Sequence, residues 1–417
     1  MIIWMKILFV TDIYPIGDEN IAKALFYFVL EWKKQGHEVE VIRANFNINT
    51  LIRGRKIIQE KIYSEHGIKI YNLNFQTPFL FNVYNKLPKD FSLKNYDVLI
   101  SHMPCGALLS NKLLKRENIK YICAVHASDI IVLKDFEYSI YFRRQLKKAY
   151  KNADKIAARS PVLQEKIETI LPFTYDKTFV AYSGVQEEFI SNFKFKSNFS
   201  ENKNSSEYLK CTQTEDTTGN DTCLGFKRGF QAENITRMNN KTYNEKYNII
   251  TVSSLIKRKN IDVIIKGLSL INEDFHLIIA GDGRERKNFE KLVKKLKLEK
   301  KITFMGRISR DEVFENLKKS DIFILLSDNE TFGLSYLEAM AAGNIIIAKE
   351  NDGIDGILQN NKNAFLIKAE PNELKKCLEK IFSMKNTELE AIKTNAANTI
   401  KNLTSSKAAY NYLKNIQ

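Results

Sequence analysis

Cysteine is scarce and unpatterned in this chain: Cys105, Cys123, Cys211, Cys223 and Cys377 lie far apart, with no C-x-x-C pair among them. An odd, scattered set argues against a disulfide framework and against a cysteine-held zinc site, and it fits a reducing cytoplasm. Long hydrophobic runs are missing as well. No stretch approaches the ~18 consecutive apolar residues that mark a membrane-spanning helix. The expectation is a cytoplasmic protein, soluble or resting on the inner face of the plasma membrane. The apolar opening MIIWMKILFV enters Thr11-Asp12 without a small-residue cleavage pattern, so it reads as a first strand rather than a signal peptide. Helix-turn-helix, zinc-finger and RNP strings are also missing, and the basic residues are dispersed rather than interleaved with stacking aromatics. Nucleic acid is therefore not an expected partner.

What the chain does have is size and positive charge. Its 417 residues, 44% of them hydrophobic, suffice for the cores of two or three ordinary domains. The formal net charge of +15 suits an anionic partner such as a nucleotide, nucleic acid or an acidic membrane leaflet. The Lys-, Asn- and Ile-rich composition of an AT-rich genome accounts for that charge equally well.

Short β-branched or apolar runs alternate with helical patterns through the first part of the chain. Lys6–Val10, Glu38–Arg43, Ile68–Leu73, Val98–Ser101, Tyr121–His126 and Lys155–Arg159 read as strands. Between the first two, Ile21, Ala24, Leu25, Phe28, Val29 and Trp32 recur at helical spacing and stop near Gly36. The alternation resumes at Tyr247, with strands expected at Asn248–Ser253, His276–Ala280, Lys301–Met305, Asp321–Leu325 and Asn344–Ala348. Such β-α repetition predicts parallel sheets with right-handed crossovers. The predicted organisation is an α/β domain over 1–190, a polar linker or insertion over 191–246, a second α/β domain over 247–395, and a helical tail over 396–417 that packs back on the first domain. The linker is expected to be disordered, since its Asn, Ser, Thr and Lys offer few apolar groups to offset ordering entropy. Two doubly wound domains turn the carboxyl ends of their strands toward one cleft, where ligands of open α/β sheets bind.

One segment carries most of the chemistry. Asp328-Asn-Glu330-Thr-Phe332-Gly333-Leu334-Ser-Tyr-Leu-Glu338-Ala-Met-Ala-Ala-Gly343 follows an apolar strand and reads as loop then helix. Gly333 is placed to open that helix, whose first amides lack intrahelical partners and carry about half a positive charge, which favours a diphosphate. Glu330 in the loop and Glu338 on the helix can address different hydroxyls of one extended ligand. A free diphosphate would repel both, so they are expected on sugar and ribose.

The spacing Glu330-x7-Glu338, with Phe332-Gly333-Leu334 between and EAMAAG after, resembles the donor site of family 4 glycosyltransferases. The resemblance implies a GT-B fold of two Rossmann-like domains facing across a cleft. It also implies transfer with retention of configuration from a nucleotide-diphosphate sugar, UDP-linked on family frequency, to a glycan or lipid-linked acceptor. By the same resemblance Glu330 contacts the transferred sugar, Glu338 holds the ribose, and the Phe332, Gly333 and Leu334 backbone binds phosphate. Ser253-Ser254-Leu255-Ile256-Lys257-Arg258-Lys259 resembles the phosphate loop: Lys259 matches its lysine, Ser254 stands where its arginine usually is, and Arg258 or Lys257 is the substitute charge. Gly306 and Ile308 match where the chain skirts the nucleobase. In the first half, His126-x-x-Asp129 resembles the element beside the reacting carbon, with Asp129 on the acceptor side, and Gly17 resembles the acceptor loop. The sequence holds no D-x-D, so no metal or other cofactor is expected. Lipid contact at an anionic bilayer is assigned either to Phe79, Leu80, Phe81, Val83, Tyr84 and Leu87 or to the basic stretch Tyr141–Lys148. Two alternatives remain open: another GT-B enzyme, such as a nucleotide-sugar epimerase or disaccharide synthase, and a basic nucleic-acid or membrane-surface binding protein.

Overall fold

The computed structural model describes residues 3–15, 23–46, 61–75, 83–134, 140–191 and 247–417. The expectations for Gly17, for Phe79, Leu80 and Phe81, and for nearly all of the 191–246 linker lie outside them. Strands β1 (Lys6–Thr11), β2 (Glu38–Phe46), β3 (Ile62–Glu65), β4 (Ile68–Phe75), β5 (Val98–Ser101), β6 (Lys120–Val125), β7 (Lys155–Ala158) and β8 (Thr178–Val180) form one sheet, in the order β3-β4-β2-β1-β5-β6-β7-β8. A second sheet holds β9 (Tyr247–Val252), β10 (Phe275–Ala280), β11 (Ile302–Gly306), β12 (Ile322–Leu325), β13 (Ile345–Lys349) and β14 (Phe365–Ile367), in the order β11-β10-β9-β12-β13-β14. Every pairing is parallel except β3 with β4.

Central strands are buried on both faces. Leu8 and Val10 enter one cluster with the helices Met103–Leu113 and Ile140–Asn152, while Ile7 and Phe9 enter another with the helix Lys23–Lys34. This double burial is why the sequence shows them as continuous apolar runs. The edge strands β3, β8 and β14 were not anticipated. Each has three or four residues, and β3 and β8 are at best half-buried, so they lack that signal. Val83 and Leu87 are buried in the first domain's core, which removes them from any lipid-facing patch. No helix among the described residues is long and apolar enough to cross a membrane.

The chain passes between domains at two neighbouring segments. Val185 bridges Thr404: Val185 N–H donates to Leu403 O at 2.9 Å, and Ser405 N–H donates to Val185 O at 2.8 Å. Beyond the first crossing, Phe189 already packs on Phe314 of the second domain, with ring centroids 4.4 Å apart. The crossing thus precedes the polar segment, which is not the connection between domains. The second crossing also falls later than 396: the helix Asn386–Ile400 buries Leu389 and Ile392 in the second domain. Only the helix Ser405–Lys414 returns, placing Tyr412 and Leu413 against the first sheet. There Trp32 Nε1 donates to Ala409 O at 3.0 Å.

At Gly184 the two crossing segments nearly touch. A Cβ there would sit 2.2 Å from the Thr404 carbonyl carbon and oxygen, and backbone cannot yield as a side chain can. Gly184→Ala is expected to lower unfolding stability by about 1–3 kcal/mol, read as a lower urea midpoint. An unchanged midpoint would show that the two crossing segments do not press on Gly184.

Candidate active site

Two loops of the second domain are locked together at the strand ends. After β9, Lys257–Lys259 forms a 3-10 turn that ends at Asn260 in the left-handed region (φ +52). Asn260 Nδ2 donates to Leu326 O at 2.8 Å and Asp328 Oδ2 at 2.9 Å, and Asp328 N–H donates to Arg258 O at 2.7 Å. This brings Lys259, itself buried, onto Glu330, whose Oε2 accepts from Lys259 Nζ and lies 3.6 Å from Arg258 Nη1. Burial alone would push the Glu330 carboxyl up. The Lys259 and Arg258 charges overcome that and hold it below the ordinary glutamate value. The Glu330 N–H is anchored on Asp352 Oδ1 at 2.8 Å. Ser254 is exposed, and the guanidinium that reaches Glu330 is the one carried by Arg258.

Gly333 caps the helix Leu334–Ala341 with φ +85, and no side chain caps its amides. A Cβ at Gly333 would lie 2.5 Å from Tyr336 Cδ2 and 3.3 Å from Glu330 Cγ. Glycine is thus required both by the backbone angle and by space, and Lys259, Glu330 and the helix start are contiguous. The Phe332 side chain turns the other way: it is buried in the second domain's core, its ring centroid 6.0 Å from that of Tyr182. Only its backbone belongs to the loop. Gly306 (φ +71) ends β11 and accepts from Gly281 N–H at 2.8 Å, and Ile308 packs half-buried nearby.

Glu338 has a partner the sequence reading missed. Its Oε1 accepts from Arg310 Nη2 at 2.7 Å, and Arg310 also donates to Gln186 Oε1 at 2.6 Å. The guanidinium lies over two rings, Tyr27 of the first domain at 4.8 Å and Phe189 at 4.6 Å. One usable signal existed: Ser309-x-x-Glu312 is a capping box, which starts a helix with Arg310 in its first turn, right beside the expected nucleobase segment.

Across the cleft, His126 follows β6, and the N–H of the next residue, Ala127, donates to Thr331 Oγ1, beside Glu330, at 3.2 Å. His126 therefore stands opposite Glu330's loop. Its Nε2 faces inward, 3.0 Å from His102 Nδ1. Asp129 departs from its expected acceptor role. It is fully buried, accepting from His126 N–H at 3.0 Å and from the Tyr150 hydroxyl at 2.8 Å, so it fixes the backbone of His126 instead of meeting a ligand. Burial pushes its carboxyl up to about 7. His102 was legible in principle, since it follows the adjacent strand β5 at the same sheet edge as His126.

Two Rossmann-like domains with donor-type loops at the facing strand ends define the GT-B class. The family model for Glycosyltransferase Family 4 matches residues 21–189, and that for Glycosyl transferases group 1 matches residues 233–399. The chain belongs to this family of glycosyltransferases. A relative, N-acetyl-alpha-D-glucosaminyl L-malate synthase of Bacillus anthracis, is 25% identical over 343 residues, covering 80% of this chain and 76% of the relative. The solved structure of Anabaena HepE in complex with UDP and glucose is 16% identical with a TM-score of 0.68, covering 98% of each chain. That of WaaG, a glycosyltransferase involved in lipopolysaccharide biosynthesis, is 13% identical with a TM-score of 0.62, covering 99% of each.

The Lys259–Glu330 pair makes an energetic prediction. Lys259→Met leaves the buried Glu330 carboxylate with only the more exposed Arg258 nearby, which costs about 3–5 kcal/mol at neutral pH. A depressed glutamate adds stability above its unfolded pKa and loses it as pH falls through the native value. The variant lacks that term, so its deficit against wild type should shrink between neutral pH and about pH 4. Urea midpoints at both pH values measure this, and a pH-independent deficit would overturn the account.

Proposed function

We propose that this chain transfers a hexose or N-acetylhexosamine from a UDP-sugar to a glycan or lipid-linked acceptor of a bacterial surface polysaccharide, with retention of configuration and without a metal ion. The observation that carries the reading is the contiguity of Lys259, Glu330 and the uncapped helix start at Gly333, directly opposite His126. The donor pyrophosphate meets the Gly333–Leu334 amides and Lys259, which has N–H donors beyond the one given to Glu330. Glu338 receives the ribose, with Arg310 fixing its carboxylate. Glu330 and His126 bracket the transferred sugar, Gly306 and Ile308 flank the base, and the acceptor is assigned to the first domain.

Retention then needs no enzymic nucleophile, because the departing phosphate takes the acceptor's proton on the face it leaves. The protein's part is electrostatic: it stabilises the diphosphate as negative charge develops there, and removing one such preorganised group typically costs about 10²–10³ in turnover. Positive charge from Lys259, Arg258 and the helix dipole fills the role a divalent ion has in D-x-D enzymes, which supports metal independence. The UDP bound by HepE and the lipopolysaccharide role of WaaG favour a uridine donor and a surface-glycan acceptor.

The helix Ile140–Asn152 supplies a membrane-facing surface. It buries Leu146, Ala149 and Tyr150 and leaves Ile140 and Tyr141 60% and 48% exposed. Arg144, Lys147 and Lys148 share that outer face, a pattern suited to an anionic bilayer.

Thermal shift with UDP, GDP and ADP tests the donor. UDP at 100 times its dissociation constant should add about 2.7 kcal/mol of stability, and Glu338→Ala should reduce that shift; a response to GDP or ADP alone would replace the uridine assignment. With labelled UDP-sugar, nucleoside diphosphate should be released in quantity only when acceptor is present, and the product should keep the donor's anomeric configuration. An inverted product would end the retaining mechanism. For the membrane contact, Arg144→Glu combined with Lys147→Glu and Lys148→Glu should abolish cosedimentation with phosphatidylglycerol vesicles.

A further inference from the structure

His126 is held from behind by a chain of hydrogen bonds that no donor or acceptor contact uses. Its Nε2 lies 3.0 Å from His102 Nδ1, and His102 Nε2 lies 3.3 Å from the Tyr412 hydroxyl. His102 and Tyr412 are almost wholly buried, and their rings pack on one another with centroids 5.9 Å apart. The three residues come from separate places: His126 follows β6, His102 follows β5, and Tyr412 arrives on the helix Ser405–Lys414 after the second crossing.

Counting protons fixes the direction of this chain. The Tyr412 hydroxyl has one proton to donate, and its hydrogen bond within the described residues is to His102 Nε2. Buried donors are satisfied wherever an acceptor is in reach, so His102 Nε2 accepts. The neutral His102 ring then carries its proton on Nδ1 and donates it to His126 Nε2. His126 in turn carries its own proton on Nδ1, which has no hydrogen-bond partner among the described residues. Both rings are neutral. Burial first, then the repulsion a protonated His126 would exert and the charge of Arg159, drives His102 far below the ordinary histidine range. Burial and then Arg159 bring His126 down to about 3. Arg159 is the charged group beside both rings, packed over the Phe28 ring at 4.5 Å and donating to Ser183 Oγ. Asp129 meets His126 through its backbone N–H.

We propose that His102 and Tyr412 are positioning residues that lock His126 as its Nδ1–H tautomer, so that it presents a neutral donor to a hydroxyl of the transferred sugar. The C-terminal helix thereby helps to build the reacting pocket as well as covering the sheet. A locked neutral donor cannot take the acceptor's proton, which leaves that step to the donor phosphate. The proposal rests on the reading of His126 as sugar-facing.

The chain has five histidines, so long-range proton–nitrogen correlation of the full-length, histidine-labelled protein can assign their tautomers. His126 is expected as a single Nδ1–H form in the wild type. Tyr412→Phe keeps the ring and removes the hydroxyl proton, so it should let both histidines exchange tautomers; a His126 spectrum unchanged in this variant overturns the proposal. His102→Asn places an amide N–H where Nδ1 stood and should preserve the His126 tautomer, whereas His102→Leu should release it. With UDP-glucose as probe, the slow acceptor-free release of UDP in Tyr412→Phe and His102→Leu should fall roughly tenfold in kcat at unchanged KM and recover in His102→Asn. Measuring His126→Ala alongside separates the two ideas. If it leaves UDP release intact while the tautomers respond, the sugar-facing reading fails and the lock stands. If it abolishes release while Tyr412→Phe alters neither spectrum nor rate, the lock fails and the reading stands.

Discussion

A lysine ammonium taken out of water must find a carboxylate, and much of the second domain's upper rim is arranged around that requirement. Lys259 is buried, and Glu330 answers it. Neither is tolerable in the interior alone, so the two loops carrying them must stay in register. Asn260 ensures this by reaching across to Leu326 O and Asp328. Asp352 ensures it from below through the Glu330 N–H. With Glu330 fixed, the turn at Gly333 is fixed too, because Tyr336 and Glu330 leave no room for a side chain there. The uncapped helix start follows directly from the salt bridge, and with it the concentration of positive potential expected to receive a diphosphate.

This explains which parts of the site were legible in the sequence. Glu330, Gly333 and Lys259 belong to contiguous loop-helix strings, where spacing along the chain is also spacing in space. Glu338 was placed, but Arg310 was not recognised as its partner, because that pairing depends on how the helix Arg310–Lys319 lies against the helix Leu334–Ala341. Asp129 was misjudged for a related reason. Its place three residues after His126 suggested a ligand contact, whereas a carboxylate at the first turn of a helix can equally cap the amide of the residue before it. Phe332 shows the limit within a motif: its neighbours turn to the cleft while its own ring turns to the core.

The same contrast holds for the fold. Parallel strands buried on both faces announce themselves as unbroken apolar runs. Short edge strands do not, because half their side chains meet water and their existence is decided by the neighbour they extend. The polar stretch after Ser191 reads as a linker or an insertion because composition shifts there. The true crossing leaves no compositional trace: Ser183-Gly184-Val185 and Leu403-Thr404-Ser405 are recognisable only once their backbones are seen to pair.

That paired crossing bears on how the two halves of the site can move. The groups proposed to hold the donor lie mainly in the second domain and His126 in the first, so on that proposal turnover depends on their relative placement. A single flexible linker would permit wide excursions. Here two segments run side by side, hydrogen-bonded to each other and close enough that Gly184 touches Thr404 backbone. Any rotation must bend both together, which favours a small hinge motion over free separation. Among the described residues, contacts that bridge the cleft include Ala127 to Thr331 and Arg310 to Tyr27. Arg310 is the more consequential because it also holds Glu338 and Gln186. If Glu338 takes the ribose as proposed, a ligand that draws on it pulls on a guanidinium resting on the first domain and bonded to the crossing segment. Glu338, the crossing segment and the first domain are thereby linked through one side chain.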